Sequence, residues 1–306
     1  MLSFIPGPLR GAIALLLYAI NTIGCFTTMT PIIVLKIISP HAGFRLWLTR
    51  GLVFLGTTWI SINSLILRIT QTIRWDVQGL EGFDPRASYL VVSNHRSWAD
   101  ILIIQHLLNH RIPYLKFFLK KELIWVPILG VAWWALDFPY MKRYSREFIQ
   151  KHPELKGKDI ETTRKYCARF KKSPISVINF LEGTRFDHHK HQKQQSPYRH
   201  LLLPRAGGVA IVLSTMGDVL SRIVDVTIVY PKNDAPLPFW DFLSGKVPTV
   251  VARIRSLPVP TEFVGRNYEE DKEFRENFRQ WVNALWAEKD RQIEAAYELK
   301  RRSVKN

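Results

Sequence analysis

The chain has 306 residues, which is enough for one large domain or two smaller ones. Hydrophobic residues make up 47% of the chain and charged residues 23%, so a sizeable core is possible and general disorder is excluded. The net charge of +17 favours anionic partners such as nucleic acid, anionic lipid or phosphorylated small molecules. Only two cysteines are present, Cys25 and Cys167, which excludes a disulfide framework and a cysteine-rich metal site.

The first 67 residues are predicted to anchor the chain in a membrane. This region has no acidic residue, and no charge of either sign lies between Arg10 and Lys36. That run is long enough to span a bilayer as a helix, and a second uncharged run at 51–67 lies at the short end of the spanning range. Two arrangements remain open: a helical hairpin that crosses twice, or two helices that lie partly in one leaflet. Pro31 is expected to kink or end the first helix.

The remaining residues, 68–306, are predicted to form one domain with a net charge of +13. A body this basic, tethered to a membrane, is expected to be drawn to anionic head groups. Because basic residues are enriched on the cytoplasmic side of membranes, we expect this domain to lie in the cytoplasm.

Strand patterns alternate with helix patterns along this domain. Short apolar runs predict strands at 73–79, 88–93, 114–119, 175–181, 223–230 and 249–254. Helical spacing of apolar residues predicts helices at 98–108, 160–170 and 206–216. The end of the chain is predicted to be one long amphipathic helix that packs on the core, with docking on a membrane surface as the alternative. The alternation indicates an α/β domain.

The segment Ser93–Asp100 is the first candidate for catalytic chemistry. A buried strand is predicted to end near Ser93, so His95 lies in a strand-to-helix turn, where sites of α/β proteins are common. A histidine can take a proton near neutral pH, and a carboxylate such as Asp100 can fix its tautomer. The alternative is structural: Ser97 and Asp100 match the capping box S-x-x-D, and His95 is then an ordinary turn residue.

The segment F-L-E-G-T-R at 180–185 is the second candidate, and it also follows a predicted buried strand. Gly183 permits a close approach of the backbone, and Arg185 offers a bidentate fork for phosphate. Glu182 is expected to orient Arg185 or another basic residue. The alternative is a turn with a surface ion pair.

The two motifs together are a more specific signal of function than either motif alone. N-H-x4-D, followed about ninety residues later by F-L-E-G-T-R, resembles the glycerolipid acyltransferases, the lysophosphatidic acid acyltransferase superfamily. The resemblance covers most of residues 68–260, and the runs MKRYSRE, GKDIETTRK and VTIVYP look most like bacterial YihG-type acyltransferases. It implies an α/β fold with a mixed sheet flanked by helices, preceded by hydrophobic helices and followed by the long amphipathic helix.

The resemblance also implies roles for single residues. His95 would be the general base and Asp100 the partner that orients it. The residues implied to hold the acceptor phosphate or shape its loop are Lys142, Arg143, Glu182, Gly183, Thr184 and Arg185. Lys120 and Lys121 match a segment on the acceptor side.

The implied reaction moves a fatty acyl group from a thioester, acyl-CoA or acyl carrier protein, to the hydroxyl of a lysophospholipid. The expected acceptor is 1-acyl-sn-glycerol-3-phosphate, and lysocardiolipin or lysophosphatidylglycerol are alternatives. No cofactor, metal ion or nucleic acid is expected, and the implied location is the bacterial inner membrane. A competing hypothesis from another class is a basic, membrane-anchored binding protein whose His95 and Asp100 are structural.

Two further features bear on the site. Asp225 lies on a predicted strand, at a position where many members of the superfamily have a proline. In the superfamily this segment contacts the acyl donor or its chain, and the departure puts that contact in question for this chain. The histidine-rich run 187–191 is predicted to be a solvated loop, with weak metal binding as the alternative.

Overall fold

The computed structural model describes residues 4–141, 158–171, 173–232, 237–266, 268 and 271–303. The strands are β1 Arg74–Gln78, β2 Ser88–Ser93, β3 Leu115–Phe117, β4 Leu119–Lys120, β5 Tyr140–Met141, β6 Ser176–Phe180, β7 Leu220–Val229 and β8 Thr249–Leu257. The α-helices are α1 Gly7–Ile38, α2 Ala42–Thr70, α3 Ala99–Leu108, α4 Leu129–Ala135, α5 Lys158–Phe170, α6 His188–Gln194, α7 Ala206–Met216, α8 Phe239–Leu243 and α9 Lys272–Ser303. Short 3₁₀ helices cover Lys121–Trp125 and Thr261–Phe263.

The main sheet has six strands in the order β1-β8-β7-β2-β6-β3. All neighbouring pairs are parallel except β7 and β8, which are antiparallel. This mixed sheet, flanked by helices, confirms the predicted fold class. The predicted strand at 114–119 divides in two, because β3 joins the main sheet and β4 pairs with β5 in a separate two-stranded sheet.

The central position of β2 explains why the four residues between its terminal serines, Tyr89 to Val92, are apolar or aromatic. Every residue from Ser88 to Ser93 is buried, because helices cover both faces of the sheet. Leu90 and Val92 face one core cluster, and Tyr89 and Val91 face the other. The residues that follow β2 therefore emerge at the carboxyl edge of the sheet, where the parallel strands β6 and β7 also end.

Helices α1 and α2 form an antiparallel hairpin at the start of the chain. Both are long and apolar enough to cross a membrane by length and composition. Of the two outcomes expected for Pro31, the end of the helix does not occur, because α1 continues through it to Ile38, and the kink stays a prediction. Asn21 and Asn63 join the two helices by a buried hydrogen bond of 2.8 Å. The predicted domain boundary after residue 67 stays a prediction, although α2 itself continues to Thr70.

The last helix, α9, packs on the core as expected, and Phe274, Phe278 and Trp286 are fully buried. The prediction of a loop for the histidine-rich run is wrong for most of it. Residues 188–194 form helix α6, because the carboxylate of Asp187 accepts a hydrogen bond from the backbone N–H of Lys190 and caps the helix.

Candidate active site

The side chain of Asn94 fixes the turn after β2 by two hydrogen bonds like those between the backbones of paired strands. The side-chain amide of Asn94 donates to the backbone carbonyl of Ile228 and accepts from the backbone N–H of the same residue, each at 2.9 Å. This pair of hydrogen bonds joins the end of β2 to the end of β7. Because the attachment is rigid, His95 is held in a defined place at the carboxyl edge of the sheet.

His95 and Asp100 are in direct contact. Nδ1 of His95 lies 2.9 Å from Oδ2 of Asp100, and their side chains are 12% and 1% exposed. The same carboxylate oxygen accepts hydrogen bonds from the backbone N–H groups of Arg96, at 2.6 Å, and Ser97, at 2.9 Å. Asp100 therefore makes its own half of the predicted capping box, by accepting from the backbone N–H of Ser97, and orients His95 at the same time. The hydroxyl of Ser97 donates instead to the carbonyl of Leu237. The two interpretations of the sequence are compatible.

Tyr230 completes this network, and sequence reasoning missed it. Its hydroxyl donates to Oδ1 of Asp100 at 2.5 Å. Burial raises the pKa of Tyr230 well above its usual value, so the hydroxyl keeps its proton and stays a donor. The available signal was a tyrosine directly after the buried strand β7, because the carboxyl ends of parallel strands meet at one edge.

Glu182 lies beneath the turn and not in an open phosphate site. Oε1 accepts from the backbone N–H of His95 at 2.8 Å, and Oε2 accepts from the backbone N–H of Leu202 at 3.2 Å. Burial raises the pKa of Glu182 to about 8, although both N–H donors and Arg96 act in the opposite direction. Its assignment to the phosphate-binding residues is therefore corrected: Glu182 holds the backbone of His95.

Two further contacts support this arrangement. The indole N–H of Trp286, on α9, donates to the carbonyl of Leu202 at 2.9 Å, and the backbone N–H of Leu202 is one of the two donors to Glu182. The ring of Phe180 stacks on the ring of His95 with 4.1 Å between centroids. The position of the histidine thus depends on β6 and, through the segment at Leu202, on α9.

The loop at 183–185 is open to solvent on its outer side. Gly183 has a φ of +66°, and an added Cβ would come within 2.9 Å of the Arg205 side chain, so glycine is strongly favoured there. Arg185 is exposed, and its guanidinium lies 5.1 Å from the ring centre of Trp98. Lys190 Nζ donates to Thr184 Oγ1 and to the carbonyl of Arg185, each at 3.1 Å.

Arg185 therefore belongs to the same edge of the sheet as His95. Its contact with Trp98 leaves the planar fork at the surface, beside the turn that carries the histidine. The expected ion pair between Arg185 and Glu182 is not formed in the described part of the chain, since both carboxylate oxygens of Glu182 face backbone N–H groups.

The other predicted residues lie outside this cluster. Lys142 and Arg143 fall outside the described residues. Lys120 and Lys121 are exposed at the end of β4 and the start of a 3₁₀ helix, and no described contact joins them to His95. Within the described ranges, no group of three or more His, Cys, Asp and Glu side chains could hold a metal ion.

Asp225 has a structural position in this chain. It is fully buried and forms ion pairs with Lys289, at 2.6 Å, and Arg255, at 2.5 Å. Side chains alternate along β7, so Asp225 faces α9, whereas Tyr230 lies on the opposite face with Val226. The departure from the superfamily pattern therefore does not touch the His95–Asp100 pair.

The class of protein follows from these features together with the comparisons. A sequence model of the family described as Acyltransferase matches residues 74–231, just over half of the chain. This range contains β2, the His95 turn, the loop at 182–185 and Tyr230. The chain belongs to this acyltransferase family.

Individual relatives agree with this. The 1-acyl-sn-glycerol-3-phosphate acyltransferase delta of Rattus norvegicus is 28% identical over 227 residues, which cover 68% of this chain and 54% of the relative. The 1-acyl-sn-glycerol-3-phosphate acyltransferase 3 of Arabidopsis thaliana is 27% identical over 219 residues, covering 67% and 52%. The chain thus spans about half the length of the curated relatives it matches.

A solved structure shows the same fold. The crystal structure of the 1-acyl-sn-glycerophosphate acyltransferase PlsC from Thermotoga maritima aligns with a TM-score of 0.54 and 16% identity, covering 94% of this chain and 98% of that one. At this identity the likeness concerns the fold alone. The predicted superfamily is confirmed, and the YihG-type subgroup stays a prediction.

Proposed function

We propose that the protein transfers a fatty acyl group from an acyl thioester to the hydroxyl of a lysophospholipid, with 1-acyl-sn-glycerol-3-phosphate as the acceptor and phosphatidic acid as the product. The observation that carries this proposal is the His95–Asp100 contact. With Nδ1 bonded to Asp100, Nε2 is the nitrogen left for a substrate hydroxyl. The names of the relatives support the choice of acceptor.

The proposed mechanism is direct transfer. Nε2 of His95 takes the proton of the acceptor hydroxyl while its oxygen attacks the thioester carbonyl. The tetrahedral intermediate collapses by breaking the carbon–sulfur bond, and the imidazolium returns the proton to the thiolate. Asp100 stabilises the imidazolium, and Tyr230 together with two backbone N–H groups keeps the carboxylate in place.

The acceptor phosphate is proposed to bind Arg185, which is exposed beside the catalytic turn. An arginine fork binds phosphate oxygens by two parallel hydrogen bonds. Gly183 and Thr184 shape this loop, and Lys142 and Arg143 are proposed as further basic contacts from outside the described residues. Lys120 and Lys121 are proposed to lie on the acceptor side. The donor is acyl-CoA or acyl carrier protein, and no cofactor is required.

The membrane is part of the proposal. Helices α1 and α2 are proposed to hold the protein in the bacterial inner membrane with the catalytic domain in the cytoplasm. Buried apolar helices are insensitive to salt, whereas attraction of a basic surface to lipid head groups is screened by it. Full-length protein should therefore stay in the membrane fraction after high-salt and carbonate washes. Release by salt alone would contradict this anchor.

The decisive assay uses purified full-length protein with labelled acyl-CoA or acyl carrier protein and a panel of lysolipids. We expect release of free thiol and a labelled diacyl product that depends on 1-acyl-sn-glycerol-3-phosphate. Preference for lysocardiolipin or lysophosphatidylglycerol would correct the acceptor. No thiol release with any donor and acceptor pair would favour the non-enzymatic binding protein.

A further inference from the structure

A cavity of about 700 Å³ lies at the amino ends of β3 and β6, on the other edge of the sheet from His95. One wall is formed by α2 and another by the end of α5. Most of its wall is apolar; lining residues from several elements are Val53, Ile60, Leu108, Leu115, Phe170 and Ile175. The catalytic turn does not contribute to it.

Lys116 gives this cavity a buried positive charge. The residue is only 8% exposed, lines the cavity, and has its ammonium 5.0 Å from the ring centre of Phe170. Asp137 also lines the cavity, but its carboxylate is paired with Lys36 at 2.9 Å. Within the described ranges, no carboxylate lies within ion-pair distance of Lys116.

Burying the ammonium of Lys116 without a bonded anion costs free energy. Burial lowers the pKa of Lys116 to about 8, although the charge of Asp137 acts in the opposite direction, and this pKa still leaves the ammonium mainly protonated at pH 7. A buried ammonium without a bonded anion is rare in proteins unless a ligand supplies one. Arg50, an exposed residue of α2, adds a second cation to the wall of the same cavity.

The cavity is separate from the acceptor site. Lys116 pairs with Val177 of β6, three residues before Phe180, which stacks on His95. At about 3.3 Å per residue, the two positions are roughly 10 Å apart along the strands. The cavity opens toward the amino edge, where Pro113 and Pro174 line it.

We propose that this cavity binds the phosphate of an anionic membrane phospholipid, held by Lys116 and Arg50. The apolar wall suits the lipid chains, and α2, a helix of membrane-spanning length, forms one side of the entrance. Charge complementarity selects an anionic head group over a zwitterionic one. The proposal rests on the membrane placement given under the proposed function, and it is independent of the acyl-transfer step.

The test uses full-length protein in detergent and native mass spectrometry. The probe is dioleoyl-phosphatidylglycerol, compared with dioleoyl-phosphatidylcholine and with inorganic phosphate as a competitor. The variants are Lys116→Met and Arg50→Gln, and the control is Arg45→Gln, an exposed basic residue of α2 that does not line the cavity. Met has a similar length and removes a buried charge, so Lys116→Met should fold with an unchanged or higher Tm.

We expect the wild type and Arg45→Gln to bind phosphatidylglycerol in preference to phosphatidylcholine. The combined Lys116→Met and Arg50→Gln variant should weaken phosphatidylglycerol binding by roughly 10–150-fold, because charge-assisted bonds to phosphate are lost. Equal binding in the combined variant, or equal binding of phosphatidylcholine, would overturn the proposal. Displacement of the lipid by millimolar inorganic phosphate would assign the cavity to a free anion and overturn the lipid as its occupant.

Failure of this proposal is distinguishable from failure of the proposed function. Acyl transfer is measured on the same preparations, and Arg185→Ala is included as a variant of the acceptor site. Lipid binding retained in Arg185→Ala places the bound lipid outside that site. Loss of lipid binding in Arg185→Ala together with normal binding in the cavity variants would place the lipid in the acceptor site instead.

Discussion

The two edges of the main sheet differ in how their buried charged side chains are bonded. At the carboxyl edge, the carboxylate of Asp100 is bonded to four groups: His95, Tyr230 and two backbone N–H donors. At the amino edge, Lys116 is almost as deeply buried, its ammonium lies over the ring of Phe170, and no carboxylate of the described residues is within ion-pair distance of it. The difference indicates that Asp100 is part of a preorganised site, and that Lys116 leaves room for an external anion.

Preorganisation at the carboxyl edge suits the proposed role of His95 as a general base. A carboxylate that is already surrounded by donors does not reorganise when the neighbouring histidine gains a proton. Glu182 extends this principle to the backbone, because it fixes the N–H of His95. The cavity at the amino edge has no role in this proton transfer, so substitutions there should leave acyl transfer unchanged.

The largest effect is expected at His95. His95→Ala removes the general base and should lower kcat by about 10²–10⁴. His95→Ala removes the stacking on Phe180 and one hydrogen bond to Asp100. The Tm should still change little, because Asp100 keeps its three other donors and the turn is held by Asn94 and Glu182. The control is His189→Ala, an exposed residue of α6. Full activity of His95→Ala in acyl-transfer assays would remove the proposed mechanism.

Asp100→Asn should have a similarly large effect, with a loss of kcat approaching about 10⁴-fold. An asparagine oxygen can still accept from the backbone N–H groups of Arg96 and Ser97, so much of the helix cap is kept. What is lost is the negative charge that stabilises the imidazolium of His95. Kinetics and thermal melting of the same preparation separate the two roles. If the variant is fully active, Asp100 is only a cap.

Arg185→Ala should lower kcat/KM for a lysophosphatidic acceptor by roughly 10–150-fold, the loss expected for a charge-assisted bond to phosphate. Arg185→Lys should recover only part of it, because an ammonium cannot replace the fork. The control is Arg222→Ala, an exposed arginine of β7 near the amino edge. The measurement is acceptor kinetics at fixed donor concentration. An unchanged acceptor kcat/KM would exclude Arg185 from the acceptor site.

Much of the fold could be predicted from local patterns. The bounds of β2 and α7 match the prediction, because a fully buried, mostly apolar strand and an apolar helix both lie in the core. The division of the predicted strand at 114–119 was not predictable, since it depends on pairing of Leu119 with the distant Tyr140. The same limit explains Pro31: whether a proline ends a helix depends on the packing around it.

The site shows the same division between local and distant information. His95 and Asp100 are five residues apart, and their contact could be inferred from the turn between two elements. The roles of Glu182 and Tyr230 depend on residues far away in the sequence, so a motif could place them at the site without showing what they bond. The motif therefore predicts a phosphate contact for Glu182, whereas its partners in the structure are backbone N–H groups.

The smallest effect on rate is expected for Tyr230, and a second tyrosine provides a control on the opposite edge of the same sheet. Tyr230→Phe leaves Oδ1 of Asp100 buried without its hydroxyl donor. A hydrogen bond to a charged group is worth about 1.5–3 kcal/mol, so we expect a loss of stability of that size. We also expect a drop in kcat of roughly 10-fold, because the carboxylate that orients His95 is held less firmly.

In Tyr89→Phe, by contrast, the hydroxyl that is removed accepts a hydrogen bond from the backbone N–H of Asp84 at 2.8 Å, beside the start of β2. Its loss should cost about 0.5–1.5 kcal/mol of stability, with kcat unchanged. Comparing kcat with Tm for the two variants separates positioning from simple stabilisation. If both tyrosines lower stability and neither lowers kcat, Tyr230 is only a structural residue, and the contrast between the edges does not extend beyond His95 and Asp100.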